Sequence, residues 1–155
     1  MHIEVAAFND VTHEIIGAAI EVHRTLGPGL LESIYLPCLQ FELRARNLNF
    51  VAERRIPVVY KQVPLEGVYR IDLIVEGQVV VEVKSVAALT SVFEAQLLTY
   101  LRLTDCPIGL LINFNVPLLI DGVKRRLNPR ATTGEGTEVT EAAEGTGTEV
   151  TEKTV

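Results

Sequence analysis

Apolar residues recur at three-to-four spacing up to about residue 46, and from Asn49 onward they recur at two. Between residues 10 and 25, Val11, Ile15, Ile16, Ala19 and Val22, continued by Leu26, form one helical stripe. Asn9 or Asp10 can cap that helix, and "LGPG", Leu26 to Gly29, breaks it. A second helix is predicted from Leu30 to Arg46, with Leu31, Ile34, Leu39 and Leu43 inward and a kink or restart at Pro37. The period of two then predicts strands over Phe50 to Ile56, Val58 to Tyr60, Tyr69 to Val75 and Val79 to Val83. Ser91 to Leu103 returns to a helix, with Val92, Ala95, Leu98 and Leu101 or Leu103 on one stripe. "IGLLINFN", Ile108 to Asn115, is a strand after that helix, which implies a parallel crossover. Gly122 to Leu127 can add an edge strand. The order predicts an α/β fold with a mixed central sheet flanked by helices, antiparallel early and parallel late.

Three charges interrupt the strands in "YRIDLIVEGQVVVEVKS", Tyr69 to Ser85. Glu82 and Lys84 are two apart and share a face, while Val81 and Val83 take the other. Asp72 places a second carboxylate on the neighbouring strand. Two explanations stand at this point. One is an ion pair at a sheet end. The other is a divalent cation, because two carboxylates brought together are costly without a cation between them, and oxygen donors favour Mg2+ or Mn2+. The turn decides the geometry. A two-residue turn at Glu76-Gly77 would oppose Asp72 to Val81 and send Glu82 to the other face. A three-residue loop, Glu76 to Gln78, or a bulge would oppose Asp72 to Glu82.

An Asp on one strand, a Glu-x-Lys on the next and a helix after them resemble the PD-(D/E)XK nuclease superfamily. "QLLTY" in that helix is similar to the Gln-x-x-x-Tyr element of RecB-like members, with Gln96 and Tyr100 one turn apart. "GLLESIY", Gly29 to Tyr35, resembles the signature of the GxxExxY protein family. "THEIIGAAIEVHRTLGPG" before it and "GLLINFNVPLL" near the end resemble the same family. The likeness spans about Asp10 to Leu127. It implies a restriction-endonuclease-like core. It further implies Asp72 and Glu82 as metal ligands, Lys84 orienting the attacking water, and Glu32 as a further ligand or orienter. Gln96 and Tyr100 would contact substrate or brace the site, with Tyr35 structural or beside the site. Relatives often carry His just before "EAQ", where Phe93 stands here, which puts any role of that histidine in doubt.

Composition adjusts this picture. The net charge of -6 belongs to residues 131–155, which hold six Glu and one Lys; 14 acids and 13 bases remain in 1–130. A nuclease-like domain over 1–130 is therefore nearly neutral, and contact with nucleic acid must come from local patches. Arg54-Arg55, Arg70 and Lys124-Arg125-Arg126 are candidates for holding phosphates. Nothing reads bases, so DNA and RNA are not distinguished. Cys38 and Cys106 lack ligand-spaced partners and read as core or near-core thiols; His13 and His23 read as packing or surface residues. The N-terminus lacks the basic and apolar regions of a secretory signal, and no apolar run approaches the ~18 residues of a membrane span. A cytoplasmic protein with reduced thiols and no membrane contact is expected.

Two function classes remain: a Mg2+- or Mn2+-dependent nuclease, and an inactive module of the same fold that binds nucleic acid or a protein. Residues 131–155 repeat "GTEVTE" at 136–141 and 147–152 without an aromatic residue, and so are expected to be disordered. Truncation after Arg130 should accordingly leave the melting temperature almost unchanged; a large fall in a thermal melt would contradict it.

Overall fold

The helix-to-sheet boundary falls where the apolar period changes. The computed structural model describes residues 2–130; the segment 131–155, expected to be an acidic tail, lies outside the described residues. In chain order the elements are α1 (His2–Leu26), α2 (Glu32–Ala45), β1 (Phe50–Tyr60), β2 (Val63–Val75), β3 (Val79–Lys84), α3 (Ser91–Thr104), β4 (Ile108–Asn113), a 3-10 turn (Leu119–Gly122) and β5 (Val123–Leu127). The five strands lie in sequence order across the sheet. β1–β2 and β2–β3 are antiparallel, β3–β4 is parallel across the α3 crossover, and β4–β5 turns antiparallel again. The sheet is therefore mixed, with its one parallel pair internal rather than terminal.

The two faces bury separate cores. Ile15, Ala19 and Val22 of α1 and Tyr35, Leu39 and Leu43 of α2 pack on Leu73, Val75, Val79, Val81 and Val83. Leu97, Tyr100 and Leu101 of α3 cover Ile71, Ile74, Val80 and Leu111 on the other side. Each helix departs from its predicted form in a definable way. α1 starts before Asn9, whose carbonyl accepts a hydrogen bond from the Thr12 hydroxyl, so neither Asn9 nor Asp10 is its cap. α2 runs unbroken through Pro37, and its inward stripe is Tyr35-Leu39-Leu43; Leu31 and Ile34 are exposed. The stripe of α3 is Leu97, Tyr100 and Leu101, with Phe93 against it, and Val92 and Leu103 are exposed. Both helices carry two overlapping apolar series, and in each the buried one contains a tyrosine, Tyr35 in α2 and Tyr100 in α3.

The β2–β3 loop is Glu76–Gln78. Val75 pairs with Val79, Ile74 with Val80 and Leu73 with Val81. Glu76 and Gly77 take φ 53 and 64, left-handed values that turn the chain over three residues. The Gln78 N–H closes on the Val75 carbonyl at 3.0 Å. This register sets Asp72 opposite Glu82.

Candidate active site at the opening of the sheet

Pairing between β2 and β3 stops at Leu73 and Val81, and the two carboxylates take over where it ends. Glu82 Oε1 accepts from the Asp72 N–H at 3.0 Å, and Asp72 Oδ2 accepts from the Val83 N–H at 2.8 Å. The side chains thus satisfy backbone donors at the end of the paired stretch. β1 is irregular at the same level: Ala52 pairs with Leu73 and Arg54 with Ile71, with Glu53, φ 51, between them. Leu73 and Val75 lie in the core under α1 and α2, whereas Ile71 and Tyr69 pack on the α3 side. Asp72 therefore sits where β2 exchanges faces and parts from β3.

Both carboxyls are displaced in the same direction. Burial, then the charge of Asp72, pushes Glu82 up from 4.5 to about 8, against the lowering pull of the Asp72 N–H and Lys84. Burial raises Asp72 as well, opposed by the Val83 N–H and Lys84 and reinforced by Glu32. A carboxylate pair of this kind takes up either a proton or a cation. The residues fit a divalent ion by donor chemistry: hard oxygens on adjacent strands. Asp72 Oδ1 and Glu82 Oε2 receive no backbone donor among the described residues. Among those same residues no three His, Cys, Asp or Glu side chains form a metal-ligating group.

Around the pair, Lys84 forms no ion pair within 4 Å among the described residues; its Nζ lies over the Phe93 ring, 4.8 Å from the centroid. Tyr100 is buried, and burial followed by the charges of Glu82 and Asp72 pushes its phenol up to about 12. Its ring meets Tyr69 edge-on at 5.5 Å. Gln96, one turn earlier on α3, is half-buried. Arg70 is exposed and paired with Glu53 at 3.5 Å, and its charge also acts on Asp72.

Glu32 is the first residue of α2, where an acid suits the helix dipole, and its Oε2 is 3.4 Å from the Ser85 N–H just beyond β3. Tyr35 makes its polar contacts in the α1–α2 loop. Its hydroxyl donates to the Gly27 carbonyl at 2.5 Å and accepts from the Leu30 N–H at 3.1 Å, and its ring stacks on Phe114 at 4.5 Å. It holds the α1–α2 loop, in which Gly29 takes φ 94, a conformation that disfavours a side chain. The Leu30 carbonyl then accepts from the Ser85 hydroxyl.

Ser85 and Asn113 were not singled out by sequence. Asn113 is buried; its Oδ1 accepts from the Val86 N–H and its Nδ2 donates to the Val86 carbonyl. That pins the segment after Lys84 to the end of β4, and no local pattern signals a bond between residues 27 apart. Elsewhere the histidines and cysteines match expectation. His13 is exposed, His23 donates to the Val116 carbonyl at 2.8 Å, and Cys38 and Cys106 are free thiols in or beside the core.

The order of strands, the helices on both faces and the carboxylates at the sheet opening define a restriction-endonuclease-like α/β fold. The chain belongs to the PD-(D/E)XK nuclease superfamily, whose family model matches residues 9–126. No curated protein and no solved structure matches it. No helix among the described residues is long and apolar enough to cross a membrane.

Two outcomes follow from this geometry. Tyr35→Phe leaves the Gly27 carbonyl and Leu30 N–H without their partner and should cost about 1–3 kcal/mol in denaturant unfolding. In chelator, stability should fall as pH rises. A carboxyl at about 8 in the folded chain and 4.5 ordinarily binds more protons folded than unfolded, so its contribution is full below 4.5 and lost through about 8. Melting temperature measured from pH 5 to pH 8 should decline, and Glu82→Gln should flatten the decline; a rise in wild type would refute the assignment.

Proposed function

We propose that this chain is a divalent-metal-dependent nuclease that hydrolyses phosphodiester bonds of nucleic acid, a GxxExxY-type member of its superfamily. The observation that carries the reading is the Asp72–Glu82 pair, a half-buried and a buried carboxyl raised together at an opening of the sheet with the Lys84 ammonium nearby. Asp72 and Glu82 would hold Mg2+ or Mn2+. When bound, that ion supplies charge stabilisation at phosphoryl oxygens and activation of water. Lys84, steadied on the Phe93 face, donates to the attacking water or to a phosphoryl oxygen. Tyr100, whose phenol stays protonated at neutral pH, presents an O–H donor beside the carboxylates. Gln96 offers an amide on the same helix, and Glu32 orients the Ser85 backbone at the rim.

Calorimetric titration with Mg2+ and Mn2+ tests the site, and cleavage of labelled DNA and RNA tests the reaction. Wild type should bind the ion with proton release at neutral pH, because an ion displaces the proton held by the pair. Affinity should rise as pH approaches about 8. Asp72→Ala should abolish binding, and Lys84→Ala should lower cleavage by roughly a hundredfold or more while binding persists. Ion binding without cleavage of any substrate form would move the chain to the inactive nucleic-acid- or protein-binding class. Absence of ion binding, with and without nucleic acid, would sink the metal site.

A further inference from the structure

The structure redistributes the three basic clusters of the sequence. Lys124 lies 3.9 Å from Glu94, Arg126 pairs with the same carboxylate, and Arg125 bonds to Asn9. That cluster is engaged in holding β5 against α3 and α1. Arg54 and Arg55 are separated by strand alternation. Arg54 pairs in register with Ile71, which packs on the α3 side, and lines a cavity with Ile74, Glu76 and Gly77. Arg55 is on the other face, directly opposite Arg70.

Like charges directly opposed on an antiparallel pair are destabilising, with Cβ atoms only about 4.5–5.5 Å apart. Among the described residues, Glu53 is the one acid in ion-pair contact with either arginine. Glu53 pairs with Arg70 at 3.5 Å, both side chains more than half exposed, and Arg55 has no ion pair among the described residues. The pair stands two residues before Asp72 on β2, about 7 Å along the strand. It lies on the part of the β1–β2 hairpin that runs past the end of β3 pairing. We infer that Arg55 and Arg70 together form a backbone-phosphate clamp on the sheet face turned away from α3, which holds a nucleic acid's phosphodiester chain where it passes the strand level of Asp72. An anionic ligand between the two guanidiniums relieves their mutual repulsion, and guanidinium forks match phosphate oxygens. The inference deepens the nuclease reading and rests on it for the identity of the anion.

The test uses the full chain in chelator, so that binding is measured apart from cleavage. Fluorescence anisotropy with a short labelled DNA duplex, and with RNA of the same sequence, gives affinity against salt concentration. On the duplex, Arg55→Gln and Arg70→Gln should each reduce the log–log salt slope by about 0.9, and the double variant by about 1.8. Arg102→Gln, an exposed arginine on α3, should leave the slope at its wild-type value, and thermal melts should show all variants folded. The clamp is overturned if the two substitutions change the slope no more than Arg102→Gln does, or if wild type binds neither nucleic acid. The two claims separate cleanly. Unchanged slopes with Asp72-dependent cleavage by wild type remove the clamp and keep the nuclease. Reduced slopes without cleavage in Mg2+ or Mn2+ keep the clamp and remove the hydrolase.

Discussion

The organisation of this protein depends on one exchange: where β2 and β3 part, carboxylates do the work of backbone carbonyls. Asp72 accepts from Val83 and Glu82 accepts from the Asp72 N–H. An opened sheet would otherwise leave buried donors unpaired, which is costly. Satisfying them with acids stores a different tension, since two carboxyls in a poorly solvated place cannot both ionise cheaply. The fold contains that tension by enclosing it. α3 presents Tyr100 and Phe93 from one side, and the start of α2 presents Glu32 from the other. Asn113 holds the outgoing chain at Val86.

The signature around Glu32 and Tyr35 acquires a physical meaning from this arrangement. The two residues share a helix but do different things. Tyr35 fixes the loop between α1 and α2 by closing on Gly27 and Leu30, and it anchors that loop on Phe114 at the exit of β4. Leu30 and Glu32 then both reach Ser85, one through its backbone carbonyl and one through its carboxylate. The glycines allow the loop to take left-handed backbone values at residues 27 and 29. Helical layer and sheet end are joined at the residue after Lys84, so the position of the lysine's strand end is set from outside the sheet.

Much of this was legible because periodicity and loop length are local properties. The change from three-four to two at Asn49 marked the sheet, and the strand after α3 marked a parallel crossover. Loop counting showed that a three-residue loop or a bulge would set Asp72 against Glu82 and a two-residue turn would not, and the structure takes the three-residue loop Glu76–Gln78. Other features were not local. "SVFEAQLLTYLRLT" supports two apolar stripes, and only the tertiary partner, the carboxylate face of the sheet, selects the one with Phe93, Leu97 and Tyr100. Pro37 predicted a kink or a restart, and α2 does not restart there, because packing of Tyr35, Leu39 and Leu43 outweighs a hydrogen bond that proline cannot make. The fourth pairing, β4–β5, returned to antiparallel because a short 3-10 turn follows β4 instead of a crossover helix.

Charge shows the same difference between what is counted and what is placed. Residues 1–130 are nearly neutral, which by itself argues against attraction for a polyanion. Yet neutrality is an average over cations with different fates. Glu94, next to Phe93 on α3, takes two cations of β5 and makes them part of the scaffold. The hairpin arginines keep most of their charge in water, near a site whose two acids are both raised by burial. Local potential, not net charge, governs how a charged partner approaches a cleft, and at this cleft the exposed charge on the adjoining strand pair is positive. In the absence of a cation, a proton on Glu82, whose carboxyl is pushed up to about 8, lowers the remaining repulsion toward phosphate. The same chemistry that stores tension in the sheet therefore makes its opening less hostile to an anion than two ionised carboxylates would be.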